Sequence, residues 1–308
     1  MPKFSVSKSI VINATAEAVH ATIRDFKQWP IWSPWLIAEP DSKLTFSDDN
    51  NSYAWEGKII GSGEIEVTRD TPPSEIHYQL SFLKPWKSVS ETFFTLKQSG
   101  DGVQVTWTMN GSLPIFMFWM KKMMIAFIGM DYQRGLTMLK QHIEQGRVLS
   151  KLDFPGVESF PGYRYVGIRT RCSIDDIGEC MARDFDKLKN WMEQSGITPV
   201  APPFSIYHKW KPVAGTAEYT VALPVENHPD KAPDGMHNES VPACSCYIVR
   251  HTGPYSQLGN AWSAGMMHGR AKVYAQKRGI PPFETYKNDP QEVDESELVT
   301  LVHFPVKT

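Results

Sequence analysis

From Phe4 to Ile12 apolar and polar residues alternate, the signature of a strand with one buried face. Asn13 or Thr15 can cap a helix over residues 16–26, with Glu17 in its first turn. Six more strand-like runs follow, at Lys43–Ser47, Ser52–Lys58, Gly61–Thr68, Glu75–Leu83, Ser88–Gln98 and Val103–Asn110. Turn signals such as Asp48-Asp49-Asn50, Thr71-Pro72-Pro73 and Gly100-Asp101-Gly102 separate them. A long apolar-rich helix is predicted from about Pro114 to Gln145. Between first helix and meander, Trp29-Pro30-Ile31-Trp32-Ser33-Pro34-Trp35 concentrates tryptophan where two prolines oppose regular structure. The apolar run Phe116–Met130 is too short for a bilayer span and is broken by Lys121-Lys122, so it reads as a core helix on a curved sheet. Its methionines suit irregular space or an adaptable cavity.

Gly146 to Gly162, with Pro155 and Pro161, predicts a linker over 149–160. This divides the chain into residues 1–148 and 161–308. The second part is an internal repeat, about 161–225 and 243–308. Pro202-Pro203-Phe204-Ser205-Ile206-Tyr207 answers Pro281-Pro282-Phe283-Glu284-Thr285-Tyr286, and Val166, Trp191 and Gly196 answer Val249, Tyr274 and Gly279. Each copy predicts a strand (Tyr163–Arg171; Ser245–Thr252), a helix (Ile177–Gln194; Gln257–Lys277), a glycine cap (Gly196; Gly279) and two more strands. The connection from Glu226 to Pro242 reads as a surface loop.

The copies differ at one chemically important point, Ser205 against Glu284. Period-2 alternation puts Tyr286 on the face of Glu284, with Phe283 and Thr285 opposite. Symmetry sets Ser205 and Tyr207 at the matching points of the other half. A carboxylate on an aromatic-walled groove is costly to desolvate unless it pairs with a cationic ligand or holds a proton. The alternative is a surface glutamate paired with a nearby Lys or Arg. Tyr255 and Trp262, at the start of the second helix, line the groove or pack its core. His251 ties down the Gly253-Pro254 turn or touches ligand. His303 has no partner that the sequence names.

Composition narrows the chemistry. Over 308 residues a net charge of −2 leaves no basic footprint for nucleic acid. No apolar leader precedes Phe4, and Cys172, Cys180, Cys244 and Cys246 read as reduced thiols, so a cytoplasmic location is expected. Cys244 and Cys246 share a strand face but lack the further ligands a metal would need, so neither metal nor cofactor is expected. Asp25, Glu39, Glu56, Glu64 and Glu66 form no catalytic pair and are expected to cap, pair or face solvent.

The first half, with Asp25-Phe26-x-x-Trp29-x-x-Trp32-Ser33-Pro34-Trp35 ahead of six strands and one long helix, resembles the START-like superfamily in its polyketide-cyclase/dehydrase (SRPBCC) branch. That resemblance implies a helix-grip fold with an apolar cavity for a lipid, polyketide or other hydrophobic molecule. In the second half two motifs carry a likeness: His251-Thr252-Gly253-Pro254-Tyr255 with Leu258 and Ala261-Trp262, and Phe283-Glu284-Thr285-Tyr286 with Asp289-Pro290, running to Phe304-Pro305-Val306. They resemble the GyrI-like small-molecule-binding domain, the effector-binding module of AraC-type regulators. The likeness implies a pseudo-twofold pair of β-α-β-β units with a ligand groove between them, and overall an α+β class. It implies that Glu284 recognises the cationic or polar part of a hydrophobic ligand; alternation, repeat symmetry and the second helix add Tyr286, Ser205, Tyr207, Tyr255 and Trp262 as candidate ligand-binding residues beside it. Some such domains are hydrolases of cyclopropane-bearing compounds, in which case Glu284 would be the acid/base. The DNA-binding domain of the regulators is replaced here by the START-like half. The expected activity is therefore small-molecule binding in two pocket-forming domains, with hydrolysis of an electrophilic hydrophobic compound as the alternative. No nucleic-acid partner and no integral membrane association are expected, and the sequence leaves the oligomeric state open.

Overall fold

A computed structural model describes residues 3–113 and 115–307, with the backbone alone for 115–117. The start of the long helix at Pro114 and the side chains of Phe116 and Met117 thus lie outside the described residues. The chain divides into two compact units, residues 1–149 and 150–308.

In the first unit β1 (Lys3–Ile12) leads to α1 (Ala16–Arg24), whose N-cap Thr15 accepts from the Ala18 amide. The helix stops short of Phe26 because Asp25 turns extended and caps the next 3-10 turn. The tryptophan-rich segment, expected to be irregular, contains a one-turn helix α2 (Trp29–Trp32); Pro30 fits its first turn, where no amide donor is needed. Then come β2 (Lys43–Phe46), β3 (Ser52–Glu56), β4 (Ser62–Thr71), β5 (Glu75–Lys84), β6 (Ser88–Ser99), β7 (Gly102–Ser112) and α3 (Lys121–Gln145). The strands form one antiparallel sheet in the order β1-β7-β6-β5-β4-β3-β2. It is gripped by α3 in the half where Tyr132, Leu136, Met138 and Leu139 are buried.

Over that half, aromatic side chains pack on one another in the core. Trp107 stacks on Tyr132 at 4.0 Å and on Phe94 at 4.8 Å, and Gly135 leaves room for the indole. Two of the core's indoles are satisfied, the Trp107 Nε1 donating to Thr92 at 2.9 Å and the Trp29 Nε1 to the Ile23 carbonyl at 2.8 Å, whereas the buried Trp32 Nε1 has no partner among the described residues. Asp25 caps and Glu39 accepts from the amides of Lys58, Ile59 and Ile60, so both carboxylates are structural. The start of α3 departs from the core-helix expectation: residues 115–120 wind as a 3-10 helix, and Phe118 and Trp119 are 65% and 67% exposed.

The second unit contains β8 (Lys151–Phe160), β9 (Tyr163–Ser173), α4 (Ile177–Gln194), β10 (Phe204–Lys211), β11 (Thr216–Val225), β12 (His237–Val241), β13 (Cys244–Thr252), α5 (Gly259–Arg270), β14 (Phe283–Tyr286) and β15 (Val299–Pro305). They make one antiparallel sheet, β12-β9-β11-β10-β14-β15-β13-β8. The stretch expected as a linker is thus mostly strand. Pro155 is tolerated because β8 is an edge strand, and Gly156 sits at φ 95 beside a bulge. The expected loop 226–242 likewise ends in strand, β12.

Only Pro161-Gly162 joins β8 on one edge to β9 beside the other, and Pro242-Ala243 joins β12 to β13 in the same way. The sheet must therefore curl, and the connections meet closely enough that a Cβ on Gly162 would lie 2.5 Å from the Ala243 amide. Inside the curl Phe160, Phe204 and Phe283 pack together. His303 belongs here too, stacked on Phe283 at 4.4 Å and 3.0 Å from the Thr285 hydroxyl. Outside it, α4 lies on β9 and β11 and α5 on β13 and β15, leaving β10 and β14 between the helices.

The repeats are not identical. α4 ends with Gly196 at φ 65 just beyond its cap, as predicted. α5, expected to reach Lys277, stops at Arg270, where Lys272 takes φ 62. Gly279 consequently lies beyond an extended segment, in which Gln276 bridges Val306, and caps no helix.

Candidate binding groove

The seam between the repeats is the antiparallel pair β10 and β14, in which Ser205 stands directly opposite Glu284. Its ends are matched: the Tyr207 amide donates to the Pro282 carbonyl at 3.1 Å, and the Tyr286 amide to the Pro203 carbonyl at 3.0 Å. The two Pro-Pro-Phe runs thus clasp each other about a pseudo-twofold axis. Alternation sends Phe204 and Phe283 into the curl and turns Ser205, Tyr207, Glu284 and Tyr286 to the outer face.

Glu284 is 1% exposed. One carboxylate oxygen accepts from the Trp262 Nε1. The other accepts from the hydroxyls of Tyr286 at 2.7 Å and Tyr207 at 3.1 Å. The Tyr286 hydroxyl also lies 3.0 Å from the Ser205 Oγ. With its single proton on the carboxylate, Tyr286 accepts from Ser205, so the network crosses the seam. Every donor is neutral, and among the described residues no ion pair reaches the carboxylate. Burial therefore raises its pKa to about 7, against the lowering by Trp262, Tyr286 and Tyr207. Burial also pushes both tyrosines far above their ordinary value, with the Glu284 charge adding to it.

Aromatic side chains roof this carboxylate. Trp262 meets Tyr207 edge-on at 4.9 Å and packs on Phe304 at 5.5 Å, so it both lines the groove and joins the core. Tyr255, 38% exposed, meets Tyr286 edge-on at 5.5 Å. Tyr207 also borders a surface depression of about 470 Å³ lined by His208 and Gln276–Pro282. All six sequence-predicted residues therefore come together. Two more were not predicted: Phe185 of α4 meets Tyr286 edge-on at 5.7 Å, and the Met181 sulfur lies 3.7 Å from the Tyr207 hydroxyl. Their four-residue spacing on an amphipathic helix was the available signal.

His251 is fully buried, 3.0 Å from the Ser150 Oγ through its Nε2, and burial lowers its pKa to about 4. Cys244 and Cys246 point the same way, with sulfurs 3.6 Å apart. Among the described residues no group of three or more His, Cys, Asp or Glu is arranged to hold a metal ion, and no helix is long and apolar enough to cross a membrane.

Residues 155–307 match the family described as GyrI-like small molecule binding domain. Residues 3–144 match polyketide cyclase / dehydrase and lipid transport. No curated protein matches the sequence. Among solved structures, an EcmrR–DNA complex is similar at 19% identity and a TM-score of 0.45, over 61% of this chain and 66% of that one. The EcmrR C-terminal domain is similar at 22% identity and a TM-score of 0.41, over 52% of this chain and 99% of the other. The Aha1 dimer from Colwellia psychrerythraea is similar at 17% identity and 0.36, over 46% and 98%. The chain is an α+β fusion of two small-molecule-binding types, a START-like domain of the polyketide-cyclase kind followed by a GyrI-like domain.

Proposed function

We propose that the second unit binds a hydrophobic molecule in the groove along β10 and β14, with a cationic or hydrogen-bond-donating end directed at Glu284. The observation that carries this reading is a buried carboxylate held only by neutral donors. An unpaired buried charge is costly, and a cationic ligand end relieves that cost. Tyr255, the exposed part of the roof, is the side chain that moves to admit it. Ser205 offers no charge at the equivalent point, so the ligand has one preferred orientation. Binding or sequestration is the role that fits, in the cytoplasm and without nucleic acid.

Tetraphenylphosphonium tests this, measured by titration calorimetry beside the uncharged triphenylphosphine oxide. With the Glu284 pKa near 7, affinity for the cation should rise roughly tenfold between about pH 6 and pH 8, following the ionised fraction. Glu284→Gln should abolish that rise and cost about 1.5–3 kcal/mol at the upper pH. Equal binding of both probes at every pH would refute the reading.

The same pKa favours a second reading, hydrolysis of an electrophilic hydrophobic compound with Glu284 shuttling a proton. There Glu284→Gln would reduce turnover of a cyclopropane-bearing substrate by about 10²–10⁴-fold while leaving its binding nearly intact.

A further inference from the structure

One end of the first unit combines exposed apolar side chains with lysines. The register brings together the start of β1, the end of β7, the β5–β6 hairpin and the β3–β4 turn, since Lys3 pairs with Ser112, Phe82 with Ser88, and Ser62 with both Lys84 and Glu56. The 3-10 helix and first turn of α3 follow directly from the end of β7. Leu83, Trp86, Val89, Phe118 and Trp119 are all between 46% and 67% exposed. Around them Lys3, Lys58, Lys84, Lys87 and Lys122 are exposed and Lys121 is half-buried. Among the described residues, no ion pair of this unit engages any of these lysines. The nearby acids offset part of this charge and leave a lysine excess. Glu39 is held by three backbone amides, and Glu56, Glu64 and Glu91 are exposed, Glu91 bonded to His77 and Asn110, so six lysines stand against four carboxylates.

We propose that this end of the START-like domain docks on the surface of a bilayer carrying anionic lipids. Indole and phenyl rings settle at the boundary between headgroups and acyl chains, while lysines ringing them reach the headgroup charge. The charge complementarity singles out an anionic membrane among apolar partners, and the side chains lie on it without spanning it. The proposal is independent of the groove at Glu284.

The test is co-sedimentation of the full chain with phosphatidylcholine vesicles, with and without phosphatidylglycerol. Binding is expected only with phosphatidylglycerol and should weaken as salt is added. Lys121→Gln with Lys122→Gln should weaken it about thirtyfold, from about fivefold per lysine. Trp86→Ser with Phe118→Ser should also release the protein, with an unchanged thermal unfolding midpoint because both side chains are exposed. Glu284→Gln should bind vesicles as the wild type does. Absence of binding to phosphatidylglycerol vesicles at low salt overturns the proposal, as does undiminished binding of both double variants. Sedimentation velocity showing instead that this patch joins two copies of the chain, with no vesicle binding, overturns it as well.

Discussion

Glu284 makes the stability of the second unit depend on pH. Its folded pKa stands above its unfolded value, so its contribution is fully present below about 4.5 and is lost as pH rises through about 7. A displacement of that size corresponds to about 3 kcal/mol. Buried His251, held neutral, acts in the opposite sense: its contribution is present above 6.5 and lost as pH falls through about 4. The two overlap in range, so the wild-type profile alone would hide both. The difference between Glu284→Gln and wild type isolates the carboxylate, and urea unfolding should find that difference growing in favour of Gln by about 3 kcal/mol across this range. A difference independent of pH would mean that Glu284 ionises normally. The face of Glu284 and Tyr286 was legible from alternation, and its pairing with Ser205 and Tyr207 from the repeat. The partnership with Trp262 was not, because it depends on how far along the sheet α5 settles. Phe185 and Met181 escaped for a related reason: their four-residue spacing marks a shared helix face, but not which strand residues that face meets.

At the scale of elements, α5 is placed by a glycine. A Cβ on Gly265 would come within 2.1 Å of the Phe304 ring, the ring that also supports Trp262. Gly265→Ala should therefore destabilise the second unit by about 1–3 kcal/mol through overpacking, despite the better helix propensity of alanine. It should also displace the Trp262 donor, which the pH-dependent affinity for tetraphenylphosphonium would register as a change in the Glu284 pKa. A variant as stable as wild type would mean that Phe304 has room to retreat. The meander of the first unit was readable nearly strand by strand because each run alternates and ends in turn residues. The early end of α5 was hidden, since the repeat aligns Tyr274 with helical Trp191, and Lys272 in the left-handed region carries no glycine to announce it. An edge strand holding Pro155 and Gly156 resembles a linker for the same reason: local breakers are tolerated once a neighbouring strand supplies the pairing.

For the whole molecule, the division at residue 149 fixes where the chain can be cut. We expect fragments 1–149 and 150–308 each to fold and to give cooperative unfolding transitions. A fragment beginning at 161, at the boundary the breakers suggest, would lose all of β8. With it go the packing of Leu152 and Phe154 against the core under α5 and the Ser150 bond to His251. Fragment 161–308 should therefore unfold at a markedly lower temperature than 150–308, or fail to fold. Equal midpoints in calorimetry would show β8 to be dispensable.

The seam of the groove is only three paired positions long, Phe204 to Ile206 against Phe283 to Thr285. A molecule lying across it would be gripped from both repeats at once, so its escape would require the halves to part or the roof to lift. Residence time would then follow the breathing of this short junction more than the sum of individual contacts. Slow release need not imply high affinity, and an asymmetric grip at Glu284 would let one repeat yield first.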